Sequence, residues 1–580
     1  MSESRYWQRA IASPGLNRRA FLRSAAVTSM GAAAFLAGCR STPTSTPAGS
    51  PAAGGATGTS APAAGIFAVP EAKRGGTITN AIVDPTTGWD PYATIGYTTG
   101  QVVETISIKL VRHDYRKGWK SGSEEAIIGE MAEKWESPDP LTYNFKIRQG
   151  LNWPNQEPAN ARPMTAEDVA YSIARAKAPT SQVQEWVFNN IKSATAIDKS
   201  TVQFKLNYPH WRWAMDLDSY NNMIVPQGVY EWAGKDGMKE AIKSRGGGPW
   251  IIEDFKPGSV VRHVANPEYR KVFGIPYADR LDVAILANGA PRLQAFVGKK
   301  IDYYAPQAGE LETVQKARPD AKFVDDKFAP TRTQALFFKT TEKPWDDVRV
   351  RRALSMSVDR EGWGKTLRYA YKWESGPVTW GYPTWKLAHD KMPADVSKWV
   401  KFDPAEAKKL IEAAGVSAAT AFELHMYPYN NSYTPEAQFL IESMGKIGVT
   451  AKLKVYDYNN WIANAYIGNY KGLLYGPDNL DRLTQQLADR LLDTSSRNHS
   501  DIKDKETQQY LKDFASAKGP QDAKPVVDKI QIRSIDQAFA VYSPQPVSPA
   551  MWEPSIQNYG GESAINYQGT GYKDAYHWKA

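Results

Sequence analysis

Seven histidines (His113, His210, His263, His389, His425, His499 and His577), a single cysteine (Cys39) and a few acid pairs are the residues of this chain that could carry catalysis or bind a metal. The histidines show no metal-ligand spacing such as i, i+4, so no metal and no other cofactor is expected. Each is read as solvated or singly hydrogen-bonded. No Gly-x-Ser-x-Gly elbow occurs, and no thiol exists downstream of Cys39 to act as a nucleophile. Gly364-Lys365-Thr366 has the tail of a phosphate loop, but Asp359 stands where its first glycine is required, so it reads as helix surface. Glu124-Glu125 and Asp346-Asp347 read as a solvated loop and a helix start, not as a glycosidase pair. The chain is therefore not expected to be an enzyme.

Cys39 has a different context. Upstream lie the arginine pair Arg18-Arg19, then an apolar stretch from Ala25 to Leu36, then Leu36-Ala37-Gly38-Cys39. A basic region, a short apolar region and small residues before a cut are the parts of a secretory signal, and the pair points to the twin-arginine route. The apolar run is shorter than the roughly 20 residues of a membrane span. Leu-Ala-Gly-Cys resembles the lipobox of bacterial lipoproteins, which implies acylation of Cys39. Residues 40–70, mostly Ser, Thr, Pro, Ala and Gly up to residue 65, would be a flexible tether that spans roughly 30 Å as a coil. The expected location is the outer face of the cytoplasmic membrane or the periplasm, with membrane contact through the anchor only.

Roughly 510 residues remain to fold, too many for one core, which predicts two or three domains. Apolar residues make up 42% and aromatics 12% of the chain, enough for sizeable cores. Five arginines and one glutamate before Cys39 account for +4 of the net charge of +9. The +5 left over so long a chain is an ordinary surface, which argues against a nucleic-acid partner.

From Arg74 onward strands and helices alternate. Tyr143, Phe145 and Ile147 alternate with Asn144, Lys146 and Arg148, the pattern of a half-buried strand, and Val202, Phe204 and Leu206 repeat it. Thr165 with Asp168 predicts a capping box ahead of a helix. Asp403-Pro404-Ala405-Glu406 opens another helix that stops at Gly415, and Thr434-Pro435-Glu436 opens a third that runs to about Lys446. Val449, Ala451, Leu453 and Val455 then alternate as a strand. The fold class is α/β.

Several blocks occur in a fixed order: Gly129 to Glu136, Pro163 to Val169, Gly248-Pro249-Trp250 with Asn266-Pro267-Glu268-Tyr269, Pro344 to Leu354 with Val358-Asp359-Arg360, Phe402 to Gly415, and Lys446-Ile447-Gly448. The series resembles the family 5 extracellular solute-binding proteins, the oligopeptide- and dipeptide-binding components of ABC importers, over about residues 75–560. The resemblance implies a two-lobed, type II, cluster C clamshell of the periplasmic-binding-protein kind with an extra inserted subdomain. Lobe I would comprise 71–112, 246–327 and 539–580, the inserted subdomain 113–245, and lobe II 328–538, with crossings near Phe328 and Phe539. Such a protein would be a monomer that closes on a small-molecule ligand and passes it to permease subunits of an ABC transporter.

The resemblance also implies where ligand contacts lie. One loop offers Trp89, Tyr92, Tyr97 and Thr98. A Gly-Pro segment offers Trp380, with Trp385 beyond it. A second-lobe loop offers Tyr475 and Asp478, with Tyr429 and Asn430 nearby. Aromatic faces supply contact area at small entropic cost, and an aspartate would hold a peptide ammonium. Asp478 could equally cap a helix from Leu480. Gly476-Pro477 stands where the peptide binders of this family carry Asp-Pro, which argues against a peptide ligand and leaves the fold untouched. Peptide is the leading ligand class, an oligosaccharide the alternative within the family. A secreted hydrolase or a structural surface lipoprotein is the alternative outside it.

Overall fold

A computed structural model describes residues 65–580 apart from 84–87, 94–96, 115–126, 182–185, 219–221, 235–236, 288, 308, 325–333, 368–369, 373, 375, 418–419, 430–431, 479–481, 496, 548 and 561–572. Arg18, Arg19, Cys39, the tether up to residue 64, Asn430 and the expected crossing near Phe328 lie outside the described residues. The chain divides into two units, Met1–Ala61 and Pro62–Ala580, and every described element belongs to the second. No helix among the described residues is long and apolar enough to cross a membrane.

The first half builds two four-stranded sheets on one apolar core. Thr77–Ile82 runs parallel to Arg280–Ile285, which continues antiparallel to Val260–Ala265 and then Trp250–Lys256. Helix Tyr97–Ile106 buries Val102, Val103 and Ile106 in that core. A second, antiparallel sheet has the order Ala132–Asp139, Thr142–Ile147, Thr201–Leu206, Ile191–Asp198. Its alternation is the one the sequence predicts: Tyr143, Phe145, Ile147, Val202, Phe204 and Leu206 are all buried. The C-terminal chain returns to this half, where Ala550–Trp552 pairs with both Tyr303–Tyr304 and Lys322–Val324.

The second half is a five-stranded sheet in the order Thr450–Val455, Ala421–Met426, Leu473–Pro477, Gln334–Phe338, Val541–Tyr542. Helices Val348–Met356, Pro404–Ala413 and Tyr433–Lys446 cover one of its faces. Their starts follow the expected chemistry. Asp347 accepts from the Arg349 N–H at 2.8 Å, and Asp403 accepts from the Glu406 N–H at 2.9 Å with Pro404 in the first turn. Gly415 stops the second of these helices in the left-handed region, at φ +70°. In the edge strand Val449 and Ala451 are buried as predicted. Val455, the last residue of this edge strand, is 54% exposed instead of buried. Lys365 sits on an exposed helix face and pairs with Glu361 at 2.6 Å, so Gly364-Lys365-Thr366 is helix surface.

The histidines correct an expectation. All seven are buried, His263 between Thr105 and the Leu281 carbonyl, and His577 against Tyr303. A sequence carries no mark of such burial, because a side-chain partner in each of these two cases, Thr105 for His263 and Tyr303 for His577, stands more than a hundred residues away.

Asp168 does more than cap its helix. Its fully buried carboxylate accepts from the Thr165 N–H (3.0 Å), the Trp153 indole (3.0 Å), the Gln227 N–H (2.8 Å) and the Arg162 guanidinium (2.5 Å). It thereby ties the 151–164 loop to the helix and to the segment after Val225. Replacing Asp168 by Ala strands these donors and should lower the unfolding free energy by about 3 kcal/mol. Urea denaturation at pH 7 reads this directly, and a loss below about 1 kcal/mol would reduce Asp168 to an ordinary cap.

Candidate functional site

Pairing in the second sheet decides which side chains can face a ligand. Leu336 lies opposite Tyr475 and Phe337 opposite Leu474 in the antiparallel ladder. Side chains alternate along a strand. Leu336, Phe338, Leu473 and Tyr475 therefore enter the helix-covered core, while Phe337, Leu474 and Tyr542 face the other side. On that side Phe337, Pro377 and Tyr542 enclose a cavity together with Asp478, Gln486, Arg490, His499 and Ser500. Its free space is about 10 Å³, room for roughly one water molecule. A solute larger than that can enter only if the surrounding elements part.

Charge in the cavity is arranged by one ion pair. Asp478 follows the end of strand Leu473–Pro477, and Arg490 follows the π-helical turn Gln485–Asp489; the two meet at 2.5 Å. The guanidinium also donates to the carbonyls of Pro477 (3.1 Å) and Arg497 (3.0 Å) and lies over the Phe337 ring. Burial raises the pKa of Asp478 and Arg490 opposes the rise. Burial pushes the neighbouring His499 imidazole well below its ordinary value, and the cations of Arg490, Lys339 and Arg497 add to that, so His499 is neutral at physiological pH. The same turn presents Gln486, whose amide accepts from the Thr379 N–H (3.1 Å) and donates to the Thr379 hydroxyl (3.2 Å). Gln545 accepts from the Trp380 N–H at 2.9 Å. Two glutamines thus fix the backbone from Thr379 to Trp380 beside the cavity.

A further apolar cluster joins residues from both halves of the chain. Trp186, Tyr208 and Trp211 pack with Trp385, Leu483, Leu487 and Phe514. Trp211 and Trp385 have ring centroids 6.0 Å apart, and the Trp211 N–H donates to the Ala515 carbonyl at 3.1 Å. His210 stacks on Trp186 at 4.8 Å, and burial pushes its pKa down to about 4. Arg482 donates to the Asp216 carbonyl, and its charge also acts on buried Asp218.

The residues expected to contact ligand fall into separate places. Trp89 stands edge-on to Phe255 in the first core, and Tyr92 donates from its hydroxyl to the Met223 carbonyl there. Tyr97 and Thr98 begin helix Tyr97–Ile106, and their side chains are outside the described residues. Trp380 is half-buried and donates to the Glu374 carbonyl at 2.7 Å, and Trp385 belongs to the aromatic cluster. Tyr429 accepts from the Trp461 indole at 2.8 Å. Tyr475, fully buried, donates to Glu436 on the helix side of its sheet. Among the described residues of this set only Asp478 lines the cavity, and its partner there is Arg490.

Gln486, Arg490 and Ser500 were not singled out by sequence reasoning, and His499 was considered only as one of seven histidines without ligand spacing. One signal existed for Arg490: Leu483, Leu487 and Leu491 trace a helical stripe, and Arg490 falls inside it as a charge on an apolar face.

Known proteins share this fold. A model of the bacterial extracellular solute-binding proteins, family 5 (middle), matches residues 126–482. The dipeptide-binding protein of Escherichia coli K12 is 26% identical over 413 residues, covering 66% of this chain and 72% of the relative. The oligopeptide-binding protein AppA of Bacillus subtilis, solved with a nonapeptide, superposes with a TM-score of 0.74 at 16% identity over 88% of this chain and 100% of that one. DppA of Helicobacter pylori, solved with the peptide STSA, gives a TM-score of 0.72 at 20% identity over 86% and 98%.

The ion pair yields a test. Arg490→Met leaves the Asp478 carboxylate buried without its cation, at a cost of about 3–5 kcal/mol at pH 7. Without Arg490 the folded-state pKa of Asp478 rises further above the unfolded value. The deficit is then largest above the folded pKa and shrinks as pH falls through it. Urea unfolding at pH 7 and pH 5 should show the smaller deficit at pH 5. A deficit independent of pH would mean that Asp478 does not depend on Arg490 for its charge.

Proposed function

This chain belongs to the family 5 bacterial extracellular solute-binding proteins, and from that premise we propose that it captures a peptide of a few residues between two lobes and delivers it to an ABC transporter permease. Its fold is the two-lobed type II periplasmic-binding-protein clamshell, and the extra subdomain expected from the sequence is part of the proposal. We further propose export by the twin-arginine signal at Arg18-Arg19, anchoring through an acyl group on Cys39, and action as a monomer without cofactor or nucleic acid. The role is that of a binding protein and not of an enzyme. Lobe I is proposed as 71–112 and 246–327 with the C-terminal chain, the subdomain as 113–245, and lobe II as 328–538. Val541–Tyr542 pairs with Gln334–Phe338 and Gln545–Val547 with Ala370–Lys372, which favours placing the second crossing after Val547, before Ala550–Trp552 joins Tyr303–Tyr304.

One observation carries the reading. The aromatic cluster of Trp186 and Trp211 with Trp385 and Phe514, extended by Arg482 reaching Asp216, consists of side-chain packing and single hydrogen bonds between two bodies that each own a core. Contacts of that kind can form and part as rigid bodies hinge, and a ligand that touches both bodies would favour the closed arrangement. The dipeptide- and oligopeptide-binding relatives support a peptide as the solute. The oligosaccharide alternative draws on the many Trp residues and on Gly476-Pro477, but most of the aromatic side chains proposed for the cleft are taken up in packing.

Thermal melting of the full chain against dipeptide, tripeptide and oligosaccharide panels tests this. A ligand at a hundred times its Kd adds about 2.7 kcal/mol to the stability of the native state, a rise of a few degrees. Peptides should raise the Tm and oligosaccharides should not. The reverse pattern would retire the peptide assignment, and no shift with any small solute would favour a structural lipoprotein.

A further inference from the structure

Lys386 is 7% exposed, and its ammonium has no hydrogen-bond acceptor among the described residues. Other buried cations have partners. Lys109 contacts Glu104 and Asp218 at 2.9 and 3.0 Å, Arg360 donates to the carbonyls of Tyr542, Ser355 and Val400, and Arg490 holds Asp478. Burying a cation without a partner is costly, so an exception calls for an explanation. Lys386 ends the short turn that starts at Tyr382, and its backbone N–H donates to the Tyr382 carbonyl. That turn follows directly on the Thr379–Trp380 backbone fixed by the two glutamines. The ammonium lies against Gly376, where a Cβ would stand 3.3 Å from Nζ, and the next residue, Pro377, lines the cavity. Glycine at 376 keeps the space in front of the ammonium free of a side chain. Burial lowers the pKa of Lys386 to about 8, with the charge of Glu374 acting against the fall, so the group is still mostly protonated at neutral pH.

We propose that Lys386 receives a carboxylate of the bound solute, its ammonium closing the end of the site formed by Gly376 and Pro377. This rests on the solute-binding reading above and names the chemistry that the site selects. The carboxylate could be the C-terminus of a peptide or belong to a non-peptide acid such as a sugar acid. A charge-assisted hydrogen bond made only in the complex gives the buried cation its missing acceptor. In the ligand-free chain the same lysine is a liability, so removing its charge should not destabilise the fold.

The test uses the full chain, wild type and the Lys386→Met and Lys386→Gln variants. Isothermal titration measures a panel of di- and tripeptides, the same panel as C-terminal amides, and gluconate. The wild type should prefer the free acids to the amides by roughly 10- to 100-fold. Both variants should lose that preference by weakening the acids alone, and the ligand-free Lys386→Met chain should melt no lower than the wild type. Gluconate binding that is lost in the variants, with no peptide bound, would keep the proposal and overturn the peptide reading. Acids and amides bound equally by the wild type, or a preference that survives in the variants, would overturn the proposal and leave the peptide reading intact. A wild type that binds none of these acids would overturn both. A ligand-free Lys386→Met chain that melts several degrees lower would also overturn the proposal, since it would show a structural partner for the lysine.

Discussion

Strand alternation in the second sheet governs everything around the cavity. Gln334–Phe338 and Leu473–Pro477 run antiparallel through its middle, and their register places Phe337 and Leu474 on one face, and Leu336 and Tyr475 on the other. A shift of one residue would carry Tyr475 to the cavity and push Phe337 among the helices. Asp478, just past the strand, reaches the cavity side, where Arg490 meets it. The register thus determines which polar groups are desolvated together.

Desolvation then determines the chemistry. Phe337, Leu474 and Tyr542 supply a low-dielectric surface on which an unpaired charge is expensive and a paired one is held firmly. Arg490 is committed to Asp478 and two carbonyls, and His499 is forced neutral. Lys386, unlike these two groups, has an ammonium without a hydrogen-bond acceptor among the described residues. The cavity is too small for a solute as it stands, and the aromatic cluster that joins the two halves, together with Arg482 on Asp216, is the part of the fold that would have to separate. Binding and hinge motion would then be one event.

Much of the fold was legible because its signals are local. The alternation of Tyr143, Phe145 and Ile147, the Thr165–Asp168 box and the Asp403-Pro404 start all depend on residues within one turn or one strand, and each appears in the structure as read. The site was much less legible. Tyr475 and Asp478 sit three residues apart, and nothing in the sequence states where the strand between them ends or which face is covered. Trp89 and Tyr92 look like loop residues free to bind, yet Phe255 and Met223, more than a hundred positions away, absorb them into the first core. The buried histidines failed for the same reason. Arg490 was the exception, since a charge on the leucine stripe of Leu483, Leu487 and Leu491 could have been noticed.

The central claim is that the two lobes part and close around a solute. Cys39 is the only native cysteine, so a full-length chain carrying Cys39→Ser can be labelled at cysteines introduced at two exposed positions, Ile197 on strand Ile191–Asp198 and Val455 at the end of strand Thr450–Val455. Single-molecule energy transfer between the labels should show a broad or two-state distance distribution without ligand. A peptide that raises the melting temperature should collapse it onto the shorter distance. A single unchanged distance with and without that peptide would contradict the account.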